Sequence, residues 1–76
     1  MKYPTDNLEL QLRLAEALAG DRQYEESLQV CLVIVEKDKT GLGDSARQVM
    51  IDIFRVLPDD SELTSTYRRK LSMALY

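Results

Sequence analysis

The chain has 76 residues, with 10 lysines and arginines against 13 aspartates and glutamates, one cysteine and no histidine. This length allows one domain, which buries only about 60% of the surface that its unfolded chain exposes. A single cysteine excludes an internal disulfide, and without histidine there is neither a ligand set for structural zinc nor the commonest catalytic base. The net charge of −3 disfavours nucleic-acid binding. We therefore expect a non-enzyme with no catalytic residue, no cofactor, no metal and no nucleic-acid partner.

The composition also bears on the compartment. The longest apolar run, residues 30–35, is far shorter than the roughly 20 residues that cross a bilayer, and the N-terminus has no apolar core of signal-peptide length. An unpaired cysteine, Cys31, suits a reducing compartment. The sequence thus predicts a cytoplasmic domain without a membrane partner.

The first predicted helix covers residues 7–19. Asp6 and Glu9 have the spacing of a capping box, in which each side chain accepts a free backbone N–H of the first turn. Gly20 follows where a left-handed residue commonly closes a helix. The apolar stripe of this helix consists of Leu8, Leu12, Ala15 and Ala19.

The second predicted helix covers residues 23–38, with Asp21 as its cap. Residues 30–35 taken alone also suit a buried β-strand, but no second strand exists to pair with it. Because this helix is apolar on nearly every side, we expect it at the centre of the domain. Cys31 lies on its inner stripe without a basic neighbour, which indicates an inert structural thiol.

The third and fourth predicted helices cover residues 44–57 and 61–75, after a loop at 40–43 and a break at Pro58; Ser61 is the predicted cap of the last helix. Apolar residues recur with helical spacing in both. The sequence therefore predicts an all-α fold of four helices, arranged as two antiparallel hairpins. Its predicted core consists of Leu28, Leu32, Val35, Val49, Ile53, Phe54, Tyr67 and Leu71.

Two stretches of the first hairpin resemble the turn of a tetratricopeptide (TPR) repeat. They are residues 14–21, in which Gly20 ends the first helix, and residues 24–28. In such a hairpin small residues let the two helices cross closely. Here Ser27 stands where alanine is usual. The resemblance implies a single TPR-like domain over residues 1–76.

The second half resembles the C-terminal domain of bacterial thioredoxin-like co-chaperones, the YbbN or chaperedoxin family. The resemblance is carried by Gly-Asp-Ser-Ala-Arg at 43–47, Ile-Phe at 53–54, Tyr-Arg-Arg-Lys-Leu at 67–71 and Ala-Leu-Tyr at 74–76. It implies that the chain is a C-terminal fragment of a larger thioredoxin-like protein. It also implies that the parent holds unfolded clients and delivers them to a GroEL-type chaperonin, with the last helix as the docking element.

The predicted partner-binding residues are Arg69, Met73 and Tyr76. Their spacing places them on one side of the last helix, away from Leu71, and arginine, methionine and tyrosine are enriched at protein interfaces. A frayed helix terminus, whose residues are exposed only incidentally, is the alternative interpretation of this face. A helical dimerisation module, giving a homodimer, is the alternative function. The groove between the two hairpins is the second candidate surface.

Overall fold

The computed structural model describes residues 7–58 and 60–75, so Asp6 of the predicted capping box and the predicted contact residue Tyr76 lie outside the described residues. Four helices follow one another: α1 (Leu8–Gly20), α2 (Tyr24–Lys37), α3 (Leu42–Val56) and α4 (Glu62–Leu75). No strand occurs in the described part of the chain. The predicted all-α fold of two helical hairpins is confirmed.

Helix α2 lies at the centre of the domain and packs against α1, α3 and α4, while α1 also contacts α3. The shortest dimension of the domain is 17 Å. Since packed helix axes are about 8–10 Å apart, this thickness corresponds to two layers of helices. The central position predicted for α2 is thus confirmed, and many helix faces remain at the surface.

The core contains six of the eight residues predicted for it: Leu28, Val35, Ile53, Phe54, Tyr67 and Leu71. Leu32 and Val49 are only half-buried. Because α2 is apolar on nearly every side, spacing alone could not show which side is most buried, and Ile34 takes the place expected for Leu32. The other apolar core residues are Ala15, Cys31, Ala46 and Met50.

The crossing of α1 and α2 is held by a buried hydrogen bond. The Ser27 hydroxyl donates to the backbone carbonyl of Ala15 at 2.6 Å, and both residues are fully buried. A buried hydroxyl without a partner would be costly, whereas this one is satisfied. Ser27 therefore serves in place of alanine as a small residue at a close helix crossing.

The turn after α1 differs from the sequence prediction. Gly20 is the last helical residue, no described glycine has a positive φ, and the left-handed residue is Arg22 at φ 64°. The backbone N–H of Arg22 donates to Ala19, and that of Gln23 donates to Leu18. These are the two bonds of a Schellman motif, whose left-handed position falls two residues after Gly20.

The predicted helix caps around this first hairpin also differ. Asn7 caps α1, because its side-chain oxygen accepts the N–H of Leu10 at 3.2 Å. Asp21 does not cap α2 as predicted, since it ends α1 and its carboxylate accepts from the Gln23 side chain at 2.9 Å. The Schellman turn places Asp21 too early in the chain to reach the first free amides of α2.

Helix α3 begins at Leu42, two residues earlier than predicted, because of Asp38. The Asp38 carboxylate accepts the backbone N–H of Gly41 and of Leu42, each at 3.0 Å. The Leu42 bond and then the Gly41 bond lower the pKa of this carboxyl. Gly43 lies within the first turn, where a Cβ would overlap the carbonyl group of Asp38. Only glycine fits this close approach of two backbone segments.

We expect both Arg22→Gly and Gly20→Ala to raise the free energy of unfolding by about 0.5–1 kcal/mol. Glycine relieves the left-handed conformation at position 22, while alanine favours the helical conformation at position 20. An added Cβ at Gly20 meets nothing within 4 Å. Urea unfolding measures both changes. A loss of stability in Gly20→Ala would instead place the left-handed residue at position 20.

We expect Asp38→Ala to lower the melting temperature at neutral pH, since it removes both bonds to the start of α3. The folded-state pKa is lowered, so the stabilisation is complete above the ordinary carboxyl pKa of about 3.9 and is lost as the pH falls through the folded value. The deficit of Asp38→Ala should therefore shrink in acid.

Asp38→Asn is the matched control for this pH dependence. It retains one oxygen acceptor but no titrating group. At neutral pH, Asp38→Asn should therefore lower the melting temperature of the unchanged chain by less than Asp38→Ala does. Thermal melts of the three proteins from neutral to acidic pH make the comparison. An Asp38→Ala deficit that is equal at neutral and acidic pH would contradict the role of the charge.

Candidate functional site

The outward face of α4 carries two of the three predicted partner-binding residues, Arg69 and Met73. Arg69 is exposed, and Met73 is 72% exposed, more than any other large apolar residue in the described part of the chain. The third residue, Tyr76, is not among the described residues. The structure therefore leaves Arg69 and Met73 accessible to a partner, and their role in binding stays a prediction.

The three consecutive cations of α4 point in different directions. The guanidinium carbon of Arg68 lies 5.5 Å from the centre of the Phe54 ring, so Arg68 turns toward α3. Lys70 Nζ lies 4.8 Å from the centre of the Tyr67 ring on its own helix. The basic run is thus dispersed around the helix and does not form one phosphate-binding stripe.

A groove of about 400 Å³ separates α3 from α4. We call it the α3–α4 groove. Helix α3 contributes Ile51, Phe54 and Arg55 to it. Helix α4 contributes Arg68, Leu71, Ser72 and Leu75. The sequence analysis missed this groove, although the spacing of Arg68, Ser72 and Leu75, at i, i+4 and i+7, was a usable signal for one shared helix face.

A second groove, of about 330 Å³, lies between α1 and α3 and corresponds to the surface between the two hairpins that the sequence offered as a second candidate. Its charged lining residues are both acidic, Glu16 and Asp52. Its apolar lining includes Val56, which is largely exposed. The two grooves therefore share an apolar character but differ in the sign of their charge.

Cys31 is fully buried on α2, as predicted. The pKa of its thiol is raised to about 12, mainly because burial disfavours the charged thiolate. A hydrogen bond with Ser27 opposes this rise, and the charge of Glu16 adds to it. Since the thiolate is the nucleophile, the folded protein holds Cys31 in its unreactive form.

Two further findings concern the described residues 7–58 and 60–75. No group of three or more cysteine, aspartate or glutamate side chains there has an arrangement that could hold a metal ion. None of the described helices combines the length and the apolar character needed to span a membrane.

We expect Cys31 to react with a thiol probe far more slowly in the folded protein than in denaturant. Burial restricts access, and the raised pKa leaves almost no thiolate at neutral pH. Stopped-flow absorbance with an aromatic disulfide measures both rates. Equal rates in native buffer and in denaturant would contradict the placement of Cys31 in the core.

Comparison with known families agrees with this architecture of paired helices. The tetratricopeptide repeat model matches residues 2–76, which is nearly the whole chain. No curated protein and no solved structure matches significantly. Repeats of this type form all-helical folds that are typically non-catalytic and mediate protein–protein interactions. The chain belongs to the tetratricopeptide repeat family.

Proposed function

We propose that this chain is the non-catalytic protein-interaction domain of a thioredoxin-like co-chaperone, and that it docks to a GroEL-type chaperonin or to unfolded clients through the outward face of α4. The exposure of Met73 carries the proposal: this large apolar side chain is 72% exposed, and methionine and arginine are enriched at protein interfaces. Arg69 lies on the same face, at i−4 from Met73.

The chemistry of these two side chains suits a protein partner. Methionine is unbranched and polarizable, so it adapts to the apolar surfaces of different clients. Arginine offers five N–H donors for carboxylates or carbonyls on the partner. The class of partner rests on the resemblance of residues 43–47, 53–54, 67–71 and 74–76 to the chaperedoxin family. Cytoplasmic localisation belongs to the same proposal.

The contact residues are separate from those that hold α4 in place. Tyr67 and Leu71 are buried in the core, whereas Arg69 and Met73 are exposed. A change at the outward face therefore removes contacts with a partner without opening the core. Truncation before Tyr67, in contrast, would unfold the domain and would not test binding.

We expect the triple variant Arg69→Ala, Met73→Ala and Tyr76→Ala to bind a purified GroEL-type chaperonin about 100- to 10,000-fold more weakly than the unchanged chain. This range follows from about 1–2 kcal/mol for each interface anchor. Surface plasmon resonance with the immobilised chain measures the affinity, and a thermal melt checks the fold. Arg13→Ala, an exposed change on α1, is the control that should bind normally.

If the triple variant melts and binds like the unchanged chain, the outward face is not the docking surface. The groove between α1 and α3 is then the next candidate, and Val56→Asp would place a third acidic side chain there and abolish binding. Sedimentation velocity of the chain alone tests the alternative function. If the unchanged chain and the triple variant both sediment as homodimers, the result favours the dimerisation module over docking through the outward face.

A further inference from the structure

The α3–α4 groove has a floor of apolar side chains. Phe54 and Leu71 are buried, with 5% and 8% of their surfaces left exposed, and the half-buried Ile51 and Leu75 also line the groove. Its volume of about 400 Å³ lies within the range of about 300–1,000 Å³ that is typical of ligand-binding sites. The groove therefore has room for apolar side chains of a partner.

Two arginines flank this floor, one from each helix, and none of the residues that line the groove is acidic. Within the described residues, Arg68 has no ion pair, and its guanidinium lies over the Phe54 ring. Arg55 lies 3.8 Å from Asp52, with 74% and 60% of the two side chains exposed, which makes a weak surface pair. The groove is thus a basic site on a chain of net charge −3.

A guanidinium over an aromatic ring still presents its N–H edges. Arginine binds carboxylates through two parallel N–H···O bonds, which are stronger than bonds between neutral groups. With one arginine on each side of an apolar floor, the groove matches an acidic segment that also carries an apolar anchor. Phosphate-rich partners match it less well, because they bring no apolar side chain to the floor.

We propose that the α3–α4 groove binds an acidic peptide segment of a partner protein. An apolar side chain of the segment rests on Phe54 and Leu71, and its carboxylates pair with Arg55 and Arg68. This goes beyond the docking of the outward face of α4, because neither Arg69 nor Met73 lines the groove. The two sites can therefore be tested separately.

The test uses a fluorescein-labelled peptide in which leucine pairs alternate with glutamates, and a second peptide with glutamine in place of each glutamate. Fluorescence anisotropy with the whole chain should show tighter binding of the glutamate peptide, by about 10- to 100-fold. The double variant Arg55→Gln, Arg68→Gln should lose this preference and bind both peptides alike. Rising salt should weaken only the glutamate peptide.

Arg13→Gln with Lys39→Gln is the matched control, since it removes the same charge from exposed cationic side chains that lie outside the groove and outside the outward face of α4. It should retain the preference for glutamate. Ser72→Trp is a second variant that leaves the charge unchanged and fills the groove from its exposed rim, and it should abolish binding. Thermal melts check each fold, because Arg68 also contacts Phe54.

Equal affinity for the two peptides would overturn the proposal. An equal loss of preference in the Arg13 and Lys39 control would overturn it too, and so would normal binding by a folded Ser72→Trp variant. If the unchanged chain is a dimer and the Arg55 and Arg68 variant is a monomer, the groove binds a second copy of the chain instead. Chaperonin binding by the Arg55 and Arg68 variant should be unchanged, which keeps this result distinct from the test of the outward face.

Discussion

The whole domain depends on the burial of α2, which is apolar on nearly every side. Leu28, Cys31, Ile34 and Val35 are fully buried, and they become so only because α1, α3 and α4 each cover part of this helix. No disulfide supports the fold, since Cys31 is the chain's one cysteine. A domain of this size therefore depends on a single apolar helix and on the three helices that exclude water from it.

The surface grooves follow from this arrangement. Helices that pack on a common partner need not pack closely on one another, and α3 and α4 leave the α3–α4 groove between them. Helix α3 borders both grooves and contributes a charge of opposite sign to each. Asp52 faces the groove with α1, while Arg55, three residues later, faces the groove with α4. One helix thus lies between an acidic groove and a basic one.

The sequence predicted the four helices and most of the core because helical spacing records which face is buried. It could not place the left-handed residue at Arg22, since local preference favours glycine and only the hydrogen bonds of the turn select the position. The role of Asp38 was missed because its two hydrogen bonds start α3 at Leu42, inside the segment 40–43 that the sequence indicates as a loop. The α3–α4 groove depends on how α4 packs on α2, which no pattern within either helix records.

Arg68 has two roles: it contacts Phe54 within the domain, and it pairs with a carboxylate of the proposed partner. Its guanidinium carbon lies 5.5 Å from the centre of the Phe54 ring, a cation–π contact worth about 0.5–1 kcal/mol where solvent is near. Arginine has five N–H donors spread around the guanidinium, so a carboxylate can accept from some of them while the cation stays over the ring. Binding therefore needs no loss of the contact that orients the side chain. Lysine at this position would retain the charge but not the planar fork of donors, because an ammonium group is a point charge.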